Sequence, residues 1–167
     1  MRTWTPILAL VLLSGCVYKA PVTTNHTIPV NPAVLGVWQA VPEPGKDLDA
    51  DERMLVLKYS DTEYMVRYPS GKDAMFFRGY PIKVGNLQCV QIQLLGEKDQ
   101  PVNDEDRKYQ VVAYKLADGV LELRTLNADL VSDRLATSAD LLKAIKANVA
   151  DPDLFKDPGK FKKLVKE

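Results

Sequence analysis

Two cysteines, Cys16 and Cys89, and a single histidine, His26, bound the nucleophilic and metal chemistry open to this chain of 167 residues. A serine or cysteine nucleophile works through a neighbouring base, and histidine is the usual one. His26 stands in a proline-containing stretch where the sequence offers it no catalytic partner. Zinc sites draw on several Cys, His or carboxylate ligands, and one free thiol with one histidine cannot complete such a set. Paired carboxylates can hydrolyse glycosides without histidine, but the acids here gather in polar stretches that read as solvated loops. Asp47-Leu48-Asp49-Ala50-Asp51-Glu52 places Asp at the first, third and fifth positions of a calcium loop. Glu52 then stands where the sharp turn needs Gly, and Lys58 where a bidentate Glu is required. Asp99, Asp104, Glu105 and Asp106 form a second acidic stretch of the same kind. The expectation is a protein that is not an enzyme, with no catalytic residues, no metal and no cofactor.

Cys16 has a different chemistry in view. The chain opens with Arg2 beside the amino terminus, and residues 7–13 form an apolar run (Ile-Leu-Ala-Leu-Val-Leu-Leu). Seven residues fall far short of the ~20 that span a bilayer as a helix, but suit the apolar core of a signal peptide. Small residues Ser14 and Gly15 follow, then Cys16. Leu13-Ser14-Gly15-Cys16 resembles the lipobox of bacterial prolipoproteins. The resemblance implies cleavage between Gly15 and Cys16, diacylglycerol on the Cys16 thiol and acylation of the new amino group. Two or three acyl chains, at about 0.8 kcal/mol per buried CH₂, anchor a protein stably where one does so only marginally. By the same resemblance Val17, lacking the acid of inner-membrane relatives, points to the outer membrane, with the protein facing the periplasm. Cys89 is then the one free thiol, and reads as a buried, inert small hydrophobe.

Removing residues 1–15 as a signal peptide leaves 152 of the 167, enough for one domain with a sizeable core. Hydrophobic residues at 46% and charged residues at 26% are globular proportions. Lys plus Arg and Asp plus Glu both total 22, so no net field draws in nucleic acid. Residues 16–33, the lipidated N-terminus and its continuation, carry Pro21, Pro29 and Pro32. They show neither helical nor strand periodicity and read as a flexible tether of about 50 Å at ~3.1 Å per residue. The domain is expected over 34–167.

Within it, short apolar stretches separated by turn signals predict seven strands, over 34–41, 53–59, 63–68, 73–83, 87–95, 108–116 and 120–126. Val90, Ile92 and Leu94 alternate with Cys89, Gln91 and Gln93, a period of two. Asp118-Gly119 between apolar runs signals a hairpin. Thr137-Ser138-Ala139-Asp140 resembles a capping box, and Leu141, Leu142, Ile145 and Val149 then share one helical face, ended by Asp151-Pro152. The tail alternates Phe155, Phe161, Leu164 and Val165 with Lys156, Lys160, Lys162, Lys163 and Lys166. It reads as a docked segment with its lysines in water, or as a basic surface for anionic lipid or a partner. The fold class expected is mainly β: a small antiparallel barrel or sandwich with one C-terminal amphipathic helix.

Gly36-Val37-Trp38 on a first strand, followed by a meander and a late helix, is similar to the lipocalin superfamily. That resemblance implies that Trp38 packs across the closed end of a barrel beneath an arginine, here Arg124 or Arg134. It also implies a possible small apolar ligand, with Trp38, Tyr64, Phe76, Phe77 and Tyr80 either lining a pocket or forming ordinary core. Two roles stay open: an envelope lipoprotein that binds a partner protein at the membrane, or a lipocalin-like carrier.

Overall fold

The computed structural model describes residues 16–98, 100–103 and 108–164. The leader with Gly15, the acids Asp99, Asp104, Glu105 and Asp106, and Val165 and Lys166 lie outside these residues. The alternating stretches form β1 (Gly36–Ala40), β2 (Arg53–Ser60), β3 (Glu63–Tyr68), β4 (Met75–Val84), β5 (Leu87–Glu97), the two-residue β6 (Gln100–Pro101), β7 (Tyr109–Ala117), β8 (Val120–Leu126) and β9 (Phe155–Lys163). Their order around the sheet is β4-β3-β2-β1-β9-β8-β7-β5, every pair antiparallel. β4 also pairs with β5, so eight strands close into a barrel, with β6 an appendage on β5. Closure leaves the main sheet without edges to recruit another chain.

The period of two sorts side chains to the two faces. Val90 and Ile92 of β5 point inward, while Cys89 joins the apolar cluster outside. The interior is filled by Trp38, Met54, Val56, Tyr64, Tyr68, Leu121 and Phe161. The β7–β8 hairpin turns on Asp118 and Gly119 at φ 53° and 74°, the left-handed pair a two-residue turn of this kind needs.

One helix, α1 (Ser138–Ala147), is inserted between β8 and β9. Its start is the expected one: the Thr137 hydroxyl accepts from the Asp140 amide at 3.1 Å and donates to the Asp140 carboxylate at 2.7 Å. Leu141 and Ile145 pack onto Val84, Cys89, Val111, Leu126 and Phe155 outside the barrel, forming a second core.

The structure corrects the sequence reading in two places. The tail after α1 is not a docked C-terminal segment; it is β9, the strand that joins β1 to β8 and closes the barrel. Pro158-Gly159 masks it. The register slips between Leu123 and Thr125, opposite Asp157 and Pro158, and Asp157 takes φ 56°. In such a bulge a proline forfeits no ladder hydrogen bond. Residues 16–34 are likewise no free tether. They run as a strap along the outside of β5 and β4, where Tyr18, Ala20 and Val22 are buried, from the barrel end where β7 begins to the end where β3 begins, and there Val30 and Val34 turn in against the interior cluster.

Candidate functional site

The strap defines the polar geometry of the molecule. At its start Cys16 is half-buried, and burial pushes its thiol pKa up to about 12. Tyr18 is 0% exposed. It exchanges backbone hydrogen bonds with Tyr109 at 3.1 Å each way, and its hydroxyl donates to the Val131 carbonyl at 2.8 Å. Further on, Gln91, pointing outward from β5, accepts from the Val22 amide and donates to the Tyr80 hydroxyl at 2.5 Å; that hydroxyl donates to the Thr23 carbonyl. Backbone groups of a chain without its own ladder are thus satisfied by side chains of the barrel.

His26 follows, and the structure gives it the partners the sequence did not. Its ring stacks on Tyr80 at 4.5 Å. Nδ1 lies 2.9 Å from the Thr62 hydroxyl, and Nε2 3.4 Å from the buried Glu63 carboxylate. The other groups on Glu63 are Arg78, whose Nε donates at 2.6 Å, and the Ser60 hydroxyl at 3.3 Å. Hydroxyl, imidazole and carboxylate in this order are the parts of a nucleophile–base relay. Two features oppose that use. Arg78 holds the carboxylate that would steady the imidazolium. The relay also sits outside β3, whereas Tyr64 and Val66 on the opposite face line the barrel cavity. The cluster ties the strap to β3 and β4 as a clasp. No spacing rule in the sequence pairs His26 with residues 62 and 63.

Trp38 stands in the middle of β1. It is 0% exposed, its indole N–H donates to the Val34 carbonyl at 2.9 Å, and the short helical turn Pro32–Val34 lies beside it. The cation over the ring is not Arg124 or Arg134. Lys163 of β9 places Nζ 5.3 Å from the ring centre and donates to the Ala33 carbonyl at 3.1 Å. Arg124 is exposed on β8, paired with Glu122 at 2.8 Å, and Arg134 is exposed on the way to α1. Gly36 has φ 125°, and a Cβ there would come within 3.1 Å of the Lys163 side chain. The glycine of the motif therefore makes room for the lysine that caps the tryptophan. Two residues in register, Trp38 and Lys163, were the missed signal, unreadable while β9 was unrecognised.

The barrel interior holds an apolar cavity of about 90 Å³ between Tyr64, Tyr68, Phe77, Tyr114 and Phe161. Of the five aromatics singled out from the sequence, Tyr64 and Phe77 line it, Trp38 plugs the end, and Phe76 and Tyr80 lie outside. The acidic loop is held by Gln39 of β1, whose side-chain amide donates to the Asp49 and Glu52 carbonyls at 2.8 and 3.2 Å. Burial and the nearby Asp49 raise the Glu52 pKa. Among the described residues no group of three or more His, Cys, Asp or Glu is placed to hold a metal, and no helix is long and apolar enough to cross a membrane. No protein-family model, no curated protein and no solved structure matches the chain.

Cys89, under α1, has its thiol pKa raised to about 12 by burial. Because the protonated form is the one favoured in the folded state, thiolate forms first in the unfolded chain, and stability falls as pH rises above 9. In Cys16→Ser protein at pH 8, alkylation of Cys89 by iodoacetamide is expected to be slowed about 1000-fold relative to the denatured chain, since thiolate is the reactive form. Equal rates with and without denaturant would show the thiol to be accessible.

Proposed function

We propose that this chain is a non-enzymatic, lipid-anchored protein of the cell envelope, held through Cys16 on the outer membrane facing the periplasm, whose barrel binds a partner protein. The leader carries the anchoring part of this reading. The binding part rests on one observation: the outer wall of β2 is uncovered and carries exposed apolar side chains. Leu57 and Tyr59 are 49% and 61% exposed, Leu57 stands beside Met65 in register, and the Arg78 guanidinium lies 5.9 Å from the Tyr59 ring. The strap and α1 cover the walls of β4, β5 and β7. An exposed tyrosine and leucine with an arginine beside them on a rigid sheet are the composition of interface cores.

A closed β-barrel is also compatible with a lipocalin-like carrier, the second reading. The cavity of about 90 Å³ is small beside the ~300–1,000 Å³ of ordinary ligand sites. A carried molecule must be of the smallest apolar kind or must displace lining side chains.

A photo-crosslinking residue at Tyr59 in intact cells is expected to trap a discrete partner, and Leu57→Glu should abolish the adduct. The same probe at Lys115 should trap none. Equal labelling from both positions, or none from Tyr59, refutes the binding face. In the same cells Cys16→Ser should leave unprocessed precursor without lipid; normal processing in that variant refutes the anchor.

A further inference from the structure

Building on the reading of Cys16 as the lipidated residue, we propose that the barrel has no spacer and rests on the bilayer with one defined end down, the end where β5 finishes and β7 begins. The argument turns on the length of chain between the anchor and the first fixed residue. Tyr18 is locked to Tyr109 and Val131, and Val17 packs against the outer core. Two residues of extended chain reach at most about 7 Å, against about 50 Å for an unbound strap. Acyl chains on Cys16 must therefore draw this end of the barrel to the headgroups.

Strand direction assigns the rest. Gln93 pairs with Tyr109 and Met75 with Glu97, so the anchored end carries the 41–52 loop, the 69–74 turn and the β5–β6 connection, with Leu48 and Leu95 exposed. The far end carries the Trp38 plug, Gly85-Asn86 and the Asp118-Gly119 hairpin. Asp47, Asp49 and Asp51 are exposed at the anchored end together with Lys46, Lys72 and Lys98, a mixed-charge face that matches a zwitterionic headgroup layer. β2 stands across the barrel from β7 in the strand order, which leaves its outer wall clear of the strap.

The test uses the mature protein purified from membranes and reconstituted in phosphatidylcholine vesicles with a headgroup-bound nitroxide quencher. Leu48→Cys and Leu95→Cys report the anchored end, and Asn86→Cys and Ala117→Cys the far end, each labelled with a fluorophore. Cys89 is buried, so the label goes to the introduced thiol. Quenching is expected to be several-fold stronger at positions 48 and 95. Inserting a flexible Gly/Ser segment of about 20 residues after Cys16 should erase the difference. Equal quenching at both ends, or stronger quenching at the far end, overturns the orientation. Intact mass of the same sample separates the two readings. An unmodified Cys16 sinks the anchor and the orientation together, whereas a lipidated protein with equal quenching sinks the orientation alone.

Discussion

Trp38→Ala is expected to lower the stability of the domain by about 3–5 kcal/mol and its melting temperature by about 6–20 °C. The indole is fully buried at one end of the barrel, so truncation opens a void that Met54 and Val34 fill only in part. It also strips the Val34 carbonyl of its 2.9 Å donor, leaving an unsatisfied acceptor in the barrel end. Trp38→Phe should recover most of the packing and none of the hydrogen bond. The surrounding cations should separate sharply. Lys163→Ala removes a cation 5.3 Å from the ring, an effect of about 0.5–1 kcal/mol. Arg124→Ala removes an exposed pair with Glu122 and should change stability by no more than about 0.5 kcal/mol. Thermal denaturation of the four variants checks the whole set. A Trp38→Ala protein melting within a degree or two of the parent means that the tryptophan does not plug the barrel. A large loss in Arg124→Ala would restore the arginine that the Gly-x-Trp resemblance implied.

The contrast between Lys163 and Arg124 shows what kind of information the sequence carries. The alternation in β5, the Asp118-Gly119 turn, the Thr137 cap and the buried tryptophan are local patterns. Each is enforced by backbone geometry over a few residues, and each is present as read. β9 was hidden by a local rule that is correct in general: Pro158-Gly159 breaks a strand. It fails here because a bulge opposite Leu123 and Thr125 absorbs both the extra residue and the missing N–H. The Trp38–Lys163 pairing, 125 positions apart, became visible only with that strand in place. The strap failed for a related reason. Its prolines remove any period, yet an aperiodic chain can still be bound when outward side chains of the barrel, such as Gln91 and Tyr80, answer its backbone. Those partners are set by tertiary proximity. The same holds for the clasp of His26 on Thr62 and Glu63, which turned a residue without a partner into the most highly connected polar side chain of the strap.

Tyr18→Ala probes that strap directly, and its effect should be local where that of Trp38→Ala is global. Removing the phenol deletes a fully buried ring and the 2.8 Å bond to the Val131 carbonyl, changes that would amount to about 3–5 kcal/mol in a core with no means of escape. The strap has one: it can lift off while the eight-strand barrel stays closed, so the loss is capped at the free energy of undocking. The expected result is a modest shift in melting temperature together with faster amide exchange over residues 17–30. Trypsin cleavage after Lys19 should accelerate by about 10-fold or more, because each ~1.4 kcal/mol of lost docking energy raises the open population tenfold when reclosing outpaces cleavage. Lys19 is exposed in the native chain, but its backbone is held between Tyr18 and Ala20, both buried. Tyr18→Phe keeps the ring and should give an intermediate rate. On lipidated protein the same cut would free residues 20–167 from the membrane, which makes release into the supernatant a second readout. Unchanged trypsin sensitivity in Tyr18→Ala would mean that His26, Gln91 and Tyr80 hold the strap without its first residue. A collapse of the whole domain would mean that strap and barrel fold as one unit.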